Sequence, residues 1–325
     1  MRKKELLSRG LYHSGLLEIA GHFAPASVTV LTYHRIRADE SASESPFDDA
    51  VFGPAQSCFA RQMQWLKKRL TILSQDELLD LLRRPAKGHF AVVTFDDAYR
   101  DNYDLAWPVL RDLSIPAIFF VCPTLIEQRR VGWWDRIAYL MKHSAHARIT
   151  IRGEPVSIAK LHGWMKSLPA HETKDLMETL LRLTEAPPPS AELESSQLMS
   201  WEQIAEVSRK GIAIGSHTHT HRVLATLTEE EQHWELRESK AALERQLGRR
   251  VRTLAYPAGS HGNFMAASMR AARECGYEAA FSFHSGGNRL GAIEPFDIHR
   301  IPAAEEFSPM FAGAAILPDL FSWVK

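Results

Sequence analysis

Two adjacent carboxylates, Asp96 and Asp97, end an apolar run over residues 90–95. Three histidines, His217, His219 and His221, fall within five residues directly after a second apolar run over 212–215. One Asp with two His is a ligand set for a divalent metal, and zinc suits it. The other Asp is then left as a base that takes a proton from an attacking water. Carboxylates at the C-terminal end of one strand, with histidines at the end of another, are an arrangement of α/β enzymes. A helix N-cap is the plain alternative for Asp96 and Asp97, but two acids directly after Val92-Val93-Thr94-Phe95 exceed what a cap needs.

Spacing constrains which histidines act together. Along an extended strand, residues four apart lie about 13 Å apart and cannot share one metal. In a helical turn their Cβ atoms come to about 6 Å. His217 and His221 therefore pair only if the chain turns after Gly215-Ser216, and His219 then points elsewhere. A continued strand would instead place His217 and His219 on one face as an HxH pair, the pattern of amidohydrolase barrels.

These residues need a frame. Apolar, β-rich runs recur at 28–34, 90–97, 117–122, 212–217, 253–257, 279–283 and 298–301, with helical patterns between them at 59–69, 75–83, 102–113, 229–247 and 263–275. The alternation predicts an α/β fold: a deformed (β/α) barrel of about seven parallel strands. Residues 133–200 break the rhythm with charged helical stretches and read as a mostly helical insertion. Residues 1–27 read as an N-terminal helical segment preceding a barrel domain over 28–325.

With 39 basic and 39 acidic residues, the chain has no charge excess that would attract nucleic acid. The three cysteines, Cys58, Cys122 and Cys275, are too far apart for a CxxC motif and suggest no disulfide framework. Arg2, Lys3 and Lys4 precede Leu6, Leu7, Leu11, Leu16, Leu17 and Ile19 at helical spacing, without a signal-peptide core. The segment reads either as a helix packed on the domain or as a basic amphipathic helix making peripheral contact with a membrane. The expected location is the cytoplasm, including the inner membrane surface.

On these motifs the chain resembles the polysaccharide deacetylase family, which shares the NodB homology domain and includes carbohydrate esterase family 4. The first family motif stands here as Thr94-Phe95-Asp96-Asp97-Ala98, with Ala98 in place of the usual Gly. The second stands as His217-Thr218-His219-Thr220-His221, and the third as Ala255-Tyr256-Pro257-Ala258-Gly259. The resemblance covers about residues 28–302. It implies a metal-dependent hydrolase that removes N-acetyl groups from amino sugars of a glycan, oligosaccharide or lipid-linked sugar. It assigns Asp96 as general base and Asp97, His217 and His221 as ligands of a divalent metal, zinc by preference. It places Tyr256, Pro257 and Ala258 at the oxyanion and substrate side. The arginine that usually precedes the third motif has no clear counterpart, and Arg252 is in shifted register. Val30-Leu31-Thr32-Tyr33-His34-Arg35 is similar to the first strand of the permuted branch that includes poly-N-acetylglucosamine deacetylases. That likeness makes His34 the general acid, with His299 of Asp297-Ile298-His299-Arg300 as the competing candidate. Trp133 and Trp134 are candidates for stacking on sugar, and Asp135 for bonding a sugar hydroxyl or Arg136. The alternative functions are an amidohydrolase acting on a small non-sugar amide and a non-catalytic glycan-binding protein on the same barrel.

Overall fold

The computed structural model describes residues 2–40, 45–84 and 87–321. Seven parallel strands build its frame: β1 (Ser27–Tyr33), β2 (His89–Asp96), β3 (Ile118–Val121), β4 (Ala213–Ser216), β5 (Thr253–Ala255), β6 (Ala279–Phe281) and β7 (Ile301–Pro302). From β1 to β6 each strand pairs with its predecessor in the chain. The stretch leading into β7 closes the ring. Ile298 bridges Phe281 of β6, and Ile301 pairs with Leu31 of β1. The result is the deformed (β/α) barrel that the alternation of runs implies. Each expected strand is present, shorter by a residue or more at most ends.

Side chains in a strand alternate between faces. Here both faces are buried, as expected for parallel strands covered by helices. Val28, Val30, Val92, Ile118, Phe120, Phe281 and Ile298 form the inner core. Leu31, Tyr33, Val93, Phe95, Phe119 and Val121 face the surrounding helices. Carried past the apolar residues, the inward parity reaches His34 after β1, Asp96 at the end of β2 and Arg300 before β7. Polar chemistry is thus delivered to the barrel mouth by the same period that builds its core.

The helices outside the barrel have local reasons to start and stop. Glu229–Leu247 opens with a Thr228/Glu231 capping box and ends at Gly248 with φ 65°, a left-handed turn that glycine adopts without a Cβ clash. Its predicted limits coincide with the observed ones. The insertion contains helices Trp133–Lys142, Ile158–Met165, Ala170–Thr184 and Ala191–Ser196 and a small hairpin, Thr150–Ile151 with Glu154–Pro155. It has its own core of Ile137, Leu140, Leu161, Leu176 and Leu180. It is sewn to the barrel where Leu198 bridges Tyr99.

The N-terminal segment forms two helices, Arg2–His13 and Leu16–Phe23. Leu17 is fully buried, and Gly21 lies where any Cβ would strike Ile316 of helix Pro309–Ile316. The segment is therefore packed on the domain, while Leu6, Leu7, Leu16, Ile19 and Phe23 remain exposed. No helix among the described residues is long and apolar enough to cross a membrane.

Inner packing is tight at Gly215, where a Cβ would lie 2.5 Å from the Phe120 ring and 2.8 Å from Thr253 Oγ1. Gly215→Ala should cost about 1–3 kcal/mol through overpacking. Urea denaturation checks this, and an unchanged midpoint would mean that the barrel yields freely beside β4.

Candidate active site

Asp96 is the last residue of β2 and is fully buried. Asp97 and Ala98 follow with φ 71° and 53°, so the chain turns sharply and presents both carboxylates at the mouth. Ala98 occupies a left-handed position that glycine fills more cheaply, which gives a physical reason for the family's preference there. The histidine segment turns as well. Thr218 and His221 have φ of 60° and 59°. Buried Glu235 clamps the turn, accepting the N–H groups of His219 and Thr220 at 2.8 Å each and the Thr220 hydroxyl.

The turn brings His217 and His221 together, with ring centroids 4.7 Å apart and nearly perpendicular. Asp97 Oδ1 lies 3.3 Å from His221 Nε2 and 3.6 Å from His217 Nε2. Tetrahedral ligands about 2.0–2.1 Å from zinc are separated by about 3.3 Å. The three donors therefore fit a metal with little movement. Asp97 Oδ1 is also buried without a hydrogen-bond partner. His217 Nδ1 lies 2.8 Å from the Ala255 carbonyl, which only accepts, so Nδ1 carries the proton and Nε2 presents its lone pair. Burial, only partly opposed by Asp96, holds the His217 pKa down to about 4, which favours the neutral imidazole a metal needs. Burial alone would raise Asp97, but the adjoining imidazoles, His221 first and then His217, outweigh it and hold the carboxyl down to about 2. His219 turns away to pack edge-on against Trp234, so no HxH pair forms.

Asp96 is divided between two roles. Its Oδ1 accepts a 2.7 Å bond from Arg300 Nη1, and both side chains are fully buried. Its Oδ2 is buried without a hydrogen bond and lies 3.8 Å from His217 Nε2 and 3.9 Å from His34 Nε2. Burial pushes the carboxyl up, while Arg300 first and then His217 and His34 pull it below the ordinary carboxylate range. Arg300 is held in turn by the Ser282 carbonyl and lies 4.3 Å over the Phe283 ring. Sequence reasoning looked for this arginine near the third motif and missed it. Arg252 instead pairs with Glu278 and Asp76, away from the carboxylates. The available signal was parity: Arg300 shares its face with Ile298, which bridges Phe281.

His34 lines the mouth beside Asp96 Oδ2, 29 % exposed and stacked near Phe283. His299 has the other parity and points away from the cavity toward Asp297. The two general-acid candidates are therefore not equivalent, and only His34 faces Asp96.

Five residues expected at the substrate side take other places. Trp134 is buried, with its ring 4.3 Å from His221 and its indole N–H bound to the Tyr99 hydroxyl. It backs a metal-ligand candidate and offers no open stacking face. Trp133 is half-buried against the core of the insertion. Asp135 is fully buried, accepting from Tyr99 Oη and the Asp48 N–H, and burial raises its pKa to about 7. It pairs with no sugar-facing space and not with Arg136, which lies by Glu194. Tyr256 stacks on Phe264 in the core and donates to the Phe296 carbonyl, so its ring cannot line a sugar site. Pro257 is also buried, whereas Ala258 is half-buried with φ 58° at the mouth.

A closed parallel barrel with an Asp-Asp pair, two histidines placed to share a metal with Asp97 and an arginine-held carboxylate has the donors of a hydrolase-type site. The family model described as polysaccharide deacetylase matches residues 83–280. This chain belongs to the polysaccharide deacetylase family. YxkH of Bacillus subtilis (strain 168), provisionally described as a polysaccharide deacetylase, is 23% identical over 297 residues, covering 90% of this chain and 77% of that protein. Among solved structures, the Streptococcus pyogenes deacetylase PplD in complex with acetate superposes with TM-score 0.60 at 19% identity, over 91% of this chain and all of that one. IcaB from Ammonifex degensii gives 0.56 at 21%, over 90% and 97%. At such identities these structures speak for the fold alone.

The Glu235 clamp has a measurable share in this geometry. Glu235→Ala leaves two amide donors and a hydroxyl without their acceptor and should cost about 1–3 kcal/mol. Glu235→Gln, which keeps one acceptor oxygen, should recover part of it. Denaturant midpoints of the three proteins decide this, and equal midpoints would mean that the turn holds itself.

Proposed function

We propose that this polysaccharide deacetylase is a metal-dependent N-deacetylase of amino sugars within a glycan, oligosaccharide or lipid-linked sugar, releasing acetate. The observation that carries the reading is the divided Asp96 carboxylate. One oxygen is saturated by Arg300, and the other is buried and unpartnered beside the Asp97, His217 and His221 donors. When bound there, a divalent metal, zinc by donor chemistry, would polarise the acetyl carbonyl and lower the pKa of water.

The residues supply the remaining steps. Asp96 Oδ2 takes the proton from a water as its oxygen forms a bond to the acetyl carbon. The Ala258 N–H, which makes no hydrogen bond among the described residues, is the donor available to the developing oxyanion. The C–N bond then breaks. The departing amine is a poor leaving group unless protonated, and His34, whose Nε2 lies 3.9 Å from Asp96 Oδ2, delivers that proton. The products are acetate and a free amino sugar. The position of His219 against Trp234 removes the feature that favoured an HxH amidohydrolase.

The deciding experiment is acetate release from N-acetylated glycans and lipid-linked sugars, with and without chelator. Release should stop on chelation and return with zinc. Release that ignores the chelator, or none from any substrate with metal-loaded protein, overturns the reading. Asp96→Asn should keep metal and lose about 10²–10⁴-fold in rate, while Asp97→Asn should lose metal. The opposite pattern would reverse the two roles.

Arg300 gives a pH signature. Asp96 must be ionised to act, and its folded pKa is lowered by Arg300, so activity falls as pH drops through that value. Arg300→Met should move the acid limb of kcat/KM upward by about 1–3 pH units. It should also destabilise the fold, because a buried carboxylate loses its partner. Arg300→Lys should restore part of both. An unmoved acid limb in a folded Arg300→Met protein would show that another group titrates there.

A further inference from the structure

We propose that His284, Asp297 and His299 form a second divalent-cation site, at the outer rim of the barrel. One ligand atom from each lies within 4.8 Å of the others, the same criterion that Asp97, His217 and His221 meet. The two clusters share one donor set, two imidazoles around one carboxylate. They also share an arrangement: the His284 and His299 rings are 5.6 Å apart at 81°, against 4.7 Å and 79° for His217 and His221. Asp297 Oδ1 lies 2.9 Å from His284 Nδ1, and Asp297 Oδ2 lies 3.9 Å from His299 Nε2. These values bracket the separation of about 3.3 Å between tetrahedral zinc ligands.

A plain hydrogen bond between His284 and Asp297 accounts for one imidazole and one carboxylate oxygen. It does not account for a second imidazole brought to the same carboxylate, with His299 Nε2 3.9 Å from Asp297 Oδ2. The backbone behind the cluster is fixed. The His299 N–H binds Asn288 Oδ1 at 2.8 Å, and Asn288 Nδ2 returns to the His299 carbonyl at 2.9 Å. The His284 N–H is held by Ser282 Oγ, and the His261 ring stacks on His284 at 4.0 Å. Side-chain exposures of 15 %, 23 % and 35 % leave an outward position open to solvent.

The rim cluster is distinct from the cavity. His299 and Arg300 are neighbours of opposite parity, and Phe283 lies between His284 and the inward Arg300–Asp96 pair. Two imidazoles and one carboxylate select a zinc-class ion over magnesium or calcium. The proposal does not depend on the deacetylation chemistry.

The test is titration of chelator-stripped protein with Zn²⁺, with metal retained through gel filtration counted by elemental analysis. Wild type should hold two equivalents. His284→Ala/His299→Ala and Asp297→Asn, the latter conserving shape, should each hold one, as should His217→Ala/His221→Ala. Co²⁺ substitution should show two additive absorption spectra, one lost in each double variant. A wild-type stoichiometry of one, unchanged in both rim variants, overturns the proposal. If His217→Ala/His221→Ala retains the full wild-type complement while both rim variants lose one equivalent, the catalytic-metal reading fails instead and the rim site stands.

Discussion

The ion pair between Arg300 and Asp96 is the constraint on which the rest of the site depends. Both side chains are fully buried among aromatic rings, where an ionised carboxylate without a partner would be costly. Arg300 keeps Asp96 charged, and by binding only Oδ1 it leaves Oδ2 facing the cavity. It also ties the stretch before β7 to the end of β2 across the barrel. One contact therefore sets the charge of the candidate base, its orientation and part of the barrel's closure.

Around this pair the chain adopts left-handed backbone at Asp97, Ala98, Thr218, His221 and Ala258, none of them glycine. Such conformations cost of order 1–3 kcal/mol each and persist only where the surroundings enforce them. The enforcing groups can be named: Glu235 for the histidine turn, the Ala255 carbonyl for the His217 ring, and the Tyr99–Trp134–Asp135 network behind His221. The insertion thus has a definite part in the site. Its first helix supplies the buried indole behind a metal-ligand candidate, while its own core keeps that helix in place.

Much of this was legible in the sequence. The seven apolar runs announced the strands, because parallel strands buried on both faces read as continuous hydrophobic stretches. Adjacent carboxylates and clustered histidines announced the candidate site, because few structural roles need them together. The fates of Trp134, Asp135 and Tyr256 were not legible. A local sequence does not say whether an aromatic ring faces a cavity or fills a core, and Tyr256 finds Phe264 only through tertiary packing. Arg300 was hidden differently. Its partner is 204 residues away, and inward parity belongs to Arg300 and not to its neighbour His299.

The barrel closes where the first and last strands meet, and Leu31 of β1 lies against Ile301 of β7. His34 and Arg300, near opposite ends of the chain, thereby become neighbours in the site. A ribosome-bound intermediate that has not yet emitted residue 300 lacks the guanidinium for Asp96, so the cavity cannot be assembled before that residue has emerged. In a closed ring of staves, the place where the polypeptide begins is also topologically free. The same constellation can survive moving a terminal strand from one end of the gene to the other, provided the stave returns to the same gap.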